Sequence, residues 1–91
     1  MKLREYKHVH CIGIGGIGLS ALARYFHALG VKVTGSNDGV STRILEDLEK
    51  EGIVVHIGGH DASYVEEGTD LVIYSIAVRD TNPELRAART R

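Results

Sequence analysis

Apolar positions along this chain change period several times. Val9, Cys11, Ile12 and Ile14 make a short, nearly continuous run, and from Leu19 the spacing widens to three and four, on Leu19, Leu22, Ala23, Phe26 and Leu29. That switch predicts a strand over 8–14 followed by a helix over 16–29. Gly30 stands where a glycine closes a helix. Val31, Val33 and their neighbours predict a second strand over 31–35, and the polar run 36–39 reads as a turn. Ser41 or Thr42 can cap a second helix that buries Ile44, Leu45 and Leu48 and stops at Gly52. A third strand is expected over 53–57, then a loop over 58–60 and a short helical turn capped by Asp61. The run 70–74 is the most hydrophobic and is expected to be a central fourth strand. After a loop over 75–81, Asn82, Pro83 and Glu84 form a strong helix start: a capping side chain, a proline at the first helical position and an acid in the first turn. Residues 1–7 read as a loose polar lead-in.

Strands alternating with helices predict an α/β fold, a Rossmann-like doubly wound parallel sheet with four strands. Right-handed crossovers then bring the strand tips to one edge, where 13–20, 36–38, 58–60 and 75–78 should converge. The last helix has no strand after it, an unfinished crossover expected of a piece of something longer.

At 91 residues there is room for one domain. A formal net charge of −1 gives no basic footprint for nucleic acid and no polybasic membrane contact. A single cysteine excludes an internal disulfide framework. No apolar run has the length of a membrane span and the start lacks the core of a signal peptide, so a soluble cytoplasmic protein is the default expectation.

The chemistry concentrates in the glycine turn. Gly13, Gly15 and Gly18 have the G-x-G-x-x-G spacing between a strand and a helix, with Gly16 as a further glycine. Gly13 allows the turn, Gly15 lets backbone N–H groups approach a phosphate, and Gly18 is expected to let the helix pack against the strand. The helix start adds open N–H groups and a positive dipole end. The turn predicts a phosphate-containing ligand without naming it. An acid at the end of the second strand would indicate NAD; Gly35 and Ser36 occupy the expected places and Asp38 comes a few residues late.

Four segments taken in order carry a resemblance: Gly13-x-Gly-Gly-x-Gly-Leu-Ser20, Gly30-x-Lys-Val-x-Gly-Ser36, Gly59-His60, and Ala77 through Asn82-Pro83-Glu84. Together they resemble the amino-terminal domain of the Mur ligases, most of all the branch that adds L-alanine, over nearly the whole chain. The branch that recycles murein tripeptide shares much of the pattern. The resemblance implies a module that holds the UDP part of UDP-N-acetylmuramic acid. A central domain would bring ATP with Mg and a carboxy-terminal domain the amino acid, both outside this sequence. The implied reaction activates the muramyl carboxylate with ATP and then forms an amide, in peptidoglycan precursor synthesis.

Carried over, the resemblance puts the diphosphate on Gly13, Ile14, Gly15, Gly16, Ile17 and Gly18, with Ser20 as an extra donor. Ser36, Asn37 and His60 would lie near the nucleoside, and Ser75, Ile76 and Ala77 would line the site from the fourth strand. Three departures stand out: Asn37 where the family usually has Asp, Leu19 for Met, and Ile76 for a small hydroxyl residue. No Gly-x-x-x-x-Gly-Lys-Ser/Thr occurs, so the ATP loop is missing and no catalytic residue is expected in this piece.

Other arrangements carry less. His56 and His60 are four apart, but one is in a strand and glycines intervene, which does not suit zinc. His10 and Cys11 are strand neighbours and point to opposite faces, so Cys11 reads as a buried small hydrophobe. Two further readings stay open: the dinucleotide-binding start of an NAD(P)-dependent oxidoreductase, with Asp38 on a ribose, and a nucleotide-sensing regulatory domain.

Overall fold

The structure, a computed structural model, describes residues 5–90. Part of the expected lead-in (1–4) and the terminal Arg91 lie outside the described residues. The elements run β1 (His8–Ile12), α1 (Ile17–Ala28), β2 (Lys32–Asn37), α2 (Arg43–Lys50), β3 (Val54–Ile57), a 3₁₀ turn (Ala62–Tyr64), β4 (Leu71–Tyr74) and α3 (Pro83–Arg89). Every expected element is present, and the local chemistry explains most of the boundaries. Thr42 Oγ1 accepts from the Leu45 N–H at 3.3 Å and caps α2. Asn82 Oδ1 accepts from the N–H groups of Glu84 (2.9 Å) and Leu85 (3.3 Å), with Pro83 in the first turn of α3. Gly30 and Gly52 close α1 and α2 at φ +83° and +98°, the left-handed region a side chain disfavours.

Two boundaries differ from expectation. β1 ends at Ile12, and β2 continues through Ser36 and Asn37, which were expected in a turn. The N–H groups of Gly13 and Ile14 both turn onto the Ser36 carbonyl (2.8 and 3.0 Å), and Gly58 N–H reaches the Asn37 carbonyl (2.9 Å). These long-range bonds hold the end of β2 extended against its turn-like sequence. The lead-in is also less loose than its polarity suggests: the Tyr6 ring meets Phe26 edge-on at 6.3 Å, and Lys7 N–H donates to the Asp70 carboxylate.

The sheet has the order β3-β2-β1-β4 with all pairs parallel. The chain steps outward from β1 to β3 and then crosses back to place β4 on the other side of β1, a Rossmann-like doubly wound arrangement. β4 was expected to be central; among the described strands it lies at the edge of the sheet. Among the described strands it pairs only with β1 and is half-buried, whereas all five residues of β1 are buried. Crossover topology decides who sits in the middle, and it placed the strand with two histidines there.

Alternation along β1 and β2 separates two faces. Val9, Cys11 and Val33 join Ile14, Ala23, Phe26, Leu45, Leu48 and Ile53 in one apolar cluster under α1 and α2. A side chain such as Phe26 contributes about 1.5–3 kcal/mol when fully buried. Burial pushes the Cys11 thiol up to about 12, so it serves as packing and not as a nucleophile. The opposite face carries His8, His10, Thr34 and Ser36, all buried and all polar.

Candidate functional site

At the edge where the strands end, the glycine turn and the loop after β4 flank the point where strand order reverses. Gly13 takes φ +84° and allows the chain to leave β1 sharply. Gly16 N–H then bonds back to the Gly13 carbonyl at 3.2 Å, and Ser20 N–H to the Gly16 carbonyl at 2.8 Å. Ile17, Gly18 and Leu19, in the first turn of α1, keep N–H groups without a partner among the described residues. These groups, at the positive end of the helix, are the natural anion contact of the turn.

The expected glycine roles divide. Gly15 N–H is 3.0 Å from Asn37 Oδ1, and a Cβ on Gly15 would stand 2.8 Å from that same oxygen. Glycine here makes room for Asn37 to brace the turn, and the Asn37 amide also donates to the Asp38 carbonyl at 2.9 Å. A Cβ on Gly18 would meet nothing within 4 Å. Close helix–strand packing therefore does not explain Gly18: the helix leaves the sheet there with space to spare.

A cavity of about 420 Å³ opens between these segments, with Gly13, Asp38, His60, Ser75, Ala77 and Arg79 among its walls. Of the residues expected at the site, Gly13, His60, Ser75 and Ala77 line it. Ile14 contributes its backbone to the turn while its side chain is in the apolar core. Ser20 is buried and its hydroxyl donates to the Ile17 carbonyl at 3.0 Å, within its own helix. Ile76 and Ile17 project into solvent, at 103% and 83% exposure. Arg79 was not anticipated. It supplies a cation with no ion pair among the described residues, and it is the first basic residue after β4. His56 stacks flat on Tyr64, centroids 3.9 Å apart, which accounts for it without a metal.

Beneath the cavity lies the part that sequence reading missed. Glu84, expected only to favour the start of α3, is fully buried under the sheet. Its Oε1 lies 2.6 Å from His10 Nε2 and accepts from Ser36 Oγ at 2.7 Å. Its Oε2 lies 2.7 Å from His60 Nδ1 and accepts from the Asp61 N–H at 3.3 Å. The chain of contacts continues from His10 Nδ1 to Thr34 Oγ1 and on to His8 Nε2, each 2.8 Å. Burial by itself would raise the Glu84 pKa, but hydrogen bonds from His10, Ser36 and His60 outweigh it and hold the carboxyl below its usual range. One signal was available in the sequence. His8 and His10, then Thr34 and Ser36, put polar residues at a period of two on strands expected to be buried, and buried polar groups require partners.

Comparisons with known proteins bear on the family and the fold. A family profile described as "Mur ligase family, catalytic domain" matches residues 8–91. The UDP-N-acetylmuramate–L-alanine ligase of Symbiobacterium thermophilum is 48% identical over 85 residues, covering 93% of this chain and 17% of that protein. The chain belongs to the Mur ligase family. A ligase of the same name from Campylobacter jejuni is 46% identical over 83 residues, 91% of this chain and 18% of its own length. Among solved structures, the UDP-N-acetylmuramate–alanine ligase of Thermotoga maritima superposes with a TM-score of 0.83 at 42% identity, covering 94% of this chain and 19% of that one. A murein peptide ligase from Psychrobacter arcticus gives 0.80 at 27% identity, covering 92% and 18%. The chain thus spans about a fifth of the length of the Mur ligases it matches.

The residues present do not fit an ATP–Mg site. Leu19 and not lysine follows Gly18, so the turn lacks the cation with which a P-loop reaches terminal phosphates. Among the described residues no group of three or more His, Cys, Asp or Glu could hold a metal, and no helix is long and apolar enough to cross a membrane.

Proposed function

We propose that this chain is the nucleotide-sugar module of a Mur ligase and binds the UDP part of UDP-N-acetylmuramic acid. The longer protein would join that substrate to L-alanine, with ATP, Mg and the amino acid held by segments outside this sequence. The observation that carries the reading is the cavity at the strand-order reversal. It brings together a guanidinium, an imidazole, a carboxylate and hydroxyl groups. Arg79 and Gly13 line it, and the open N–H groups of Ile17, Gly18 and Leu19 follow Gly13 within a few residues. His60 and Asp38 line the same cavity. Similarity to ligases named for UDP-N-acetylmuramate supports the same assignment.

Asp38 in the wall keeps a dinucleotide reading in play, since a ribose diol would suit it. Titration with UDP-N-acetylmuramic acid and, separately, NADH, followed by amide NMR, separates the two. The expected result is shifts at Ile17, Gly18, Leu19 and His60 with the UDP-sugar and none with NADH. Shifts with NADH alone, extending to Asp38, would replace the ligase reading with the oxidoreductase one.

A further inference from the structure

Glu84 does not line the cavity, yet its carboxylate holds His60, which does. An ionised carboxylate only accepts, and its two oxygens have room for about four hydrogen bonds. Glu84 has four partners, so all four must donate: His10 Nε2–H, Ser36 Oγ–H, His60 Nδ1–H and the Asp61 N–H. The His60 proton is thereby assigned to Nδ1, with Ser36 Oγ a further 3.1 Å neighbour of that nitrogen. His60 Nε2 has no partner among the described residues. No buried side-chain nitrogen or oxygen among them lacks a partner either, so Nε2 is open, on a residue that lines the cavity.

The geometry points to Glu84 as a positioning residue that locks His60 in its Nδ1–H tautomer and presents Nε2 to the cavity as a hydrogen-bond acceptor. The inference rests on the nucleotide reading above and adds the polarity of one end of the site. A phosphate offers only acceptors and is mismatched to a neutral Nε2. A ribose hydroxyl or an imide N–H of the base offers a donor and matches it. The diphosphate then belongs at the open N–H groups of α1 and the nucleoside at His60. The same carboxylate ties α3 to β1 and β2 through His10 and Ser36, so the ring is held by three elements at once.

Four variants of the 91-residue chain test this, with UDP as the probe and the His60 tautomer read from its ring ¹⁵N shifts without ligand. In the wild type the tautomer is expected to be Nδ1–H. Glu84→Met keeps length but has no acceptor; His60 should lose its single tautomer, and UDP affinity should fall about tenfold, the scale of one hydrogen bond. His60→Ala should cost the same, and the double variant no more than either alone, because Glu84 acts through His60. Glu84→Gln should restore both readouts. Its carbonyl can face His60 and the fixed Asp61 N–H, while its NH₂ turns to His10 and Ser36, both of which can switch from donor to acceptor.

A wild-type His60 protonated at Nε2, or costs that multiply in the double variant, would overturn the assignment and leave the nucleotide reading standing. An Nδ1–H tautomer in a chain that UDP does not perturb would instead overturn the nucleotide reading and the positioning role with it. Should Glu84→Met fail to fold, Glu84→Gln alone decides: His10 changes tautomer and His60 does not if the assignment holds, and the reverse sinks it.

Discussion

At Gly35 the absence of a side chain is what lets the glycine turn fold over β2. A Cβ there would stand 2.5 Å from Ile14 Cδ1, 2.8 Å from Ile14 Cβ and 3.0 Å from the Cys11 carbonyl oxygen. Ile14 is a buried core residue and Cys11 O is backbone, so neither can yield cheaply. Gly35→Ala should therefore destabilise the chain by about 1–3 kcal/mol, as overpacking does, read as a lower urea midpoint. Gly18→Ala, with nothing near its Cβ, serves as the matched control and should leave the midpoint within about 0.5 kcal/mol of wild type. The pattern of the motif identified Gly18 as the packing glycine; the structure gives that duty to Gly35, which the second motif contains but to which it assigned no packing role. The close approach at Gly35 is made by a residue 21 positions earlier in the chain, and no local signal reports it.

α3 illustrates the element scale. Seven residues of helix do not stand alone in water, since isolated helices shorter than about 12–15 residues are marginal. Two things hold this one: the Asn82 cap at its start, and the burial of Glu84 and Leu85 on one side. Asn82→Ala removes the cap acceptor for two N–H groups and should cost about 1 kcal/mol. It should also speed amide hydrogen exchange at Glu84 and Leu85 relative to the α1 amides. Equal acceleration everywhere would mean that the cap acts on global stability alone. The cap, the proline and the acid were legible in sequence because capping is local chemistry. The fate of the acid was not, because the partners of Glu84 come from β1, β2 and the loop after β3.

For the whole molecule, the polar face of the sheet makes stability depend on pH. His8 is pushed below its ordinary value of 6.5, first by burial and then by Lys32 and His10, against the opposing pull of Glu66 and Asp70. Below that pH the unfolded chain protonates His8 while the folded chain resists, so the unfolded state binds more protons and stability falls with acidity. Glu84 is held below its ordinary 4.5 by its bonds to His10, Ser36 and His60. Its contribution is present above that pH and is lost as the pH drops through its folded value. Urea midpoints should thus decline in two stages from pH 7, the first beginning near pH 6.5 and the second below pH 4.5. Glu84→Gln should flatten the second stage and keep the first. A midpoint that rises on acidification from pH 7 to pH 5 would contradict the assignment of His8.

Period and punctuation were enough to establish the order and kind of the elements, the helix cap at Asn82, a cap at Ser41 or Thr42, the glycine turn and the family it resembles. Each of these is written within a few residues of chain, where backbone geometry and side-chain capping act. Tertiary structure alone decided that, among the described strands, β1 lies inside the sheet and the more hydrophobic β4 at its edge, that Ser36 and Asn37 extend a strand, and that Arg79 joins the cavity wall. It alone converted His10, Thr34, Ser36, His60 and Glu84, spread over 75 positions, into one buried hydrogen-bonded unit. Sheet order and buried polar pairing are set by contacts between distant segments. Their energy depends on which groups meet out of water, and that is a property of the packed chain.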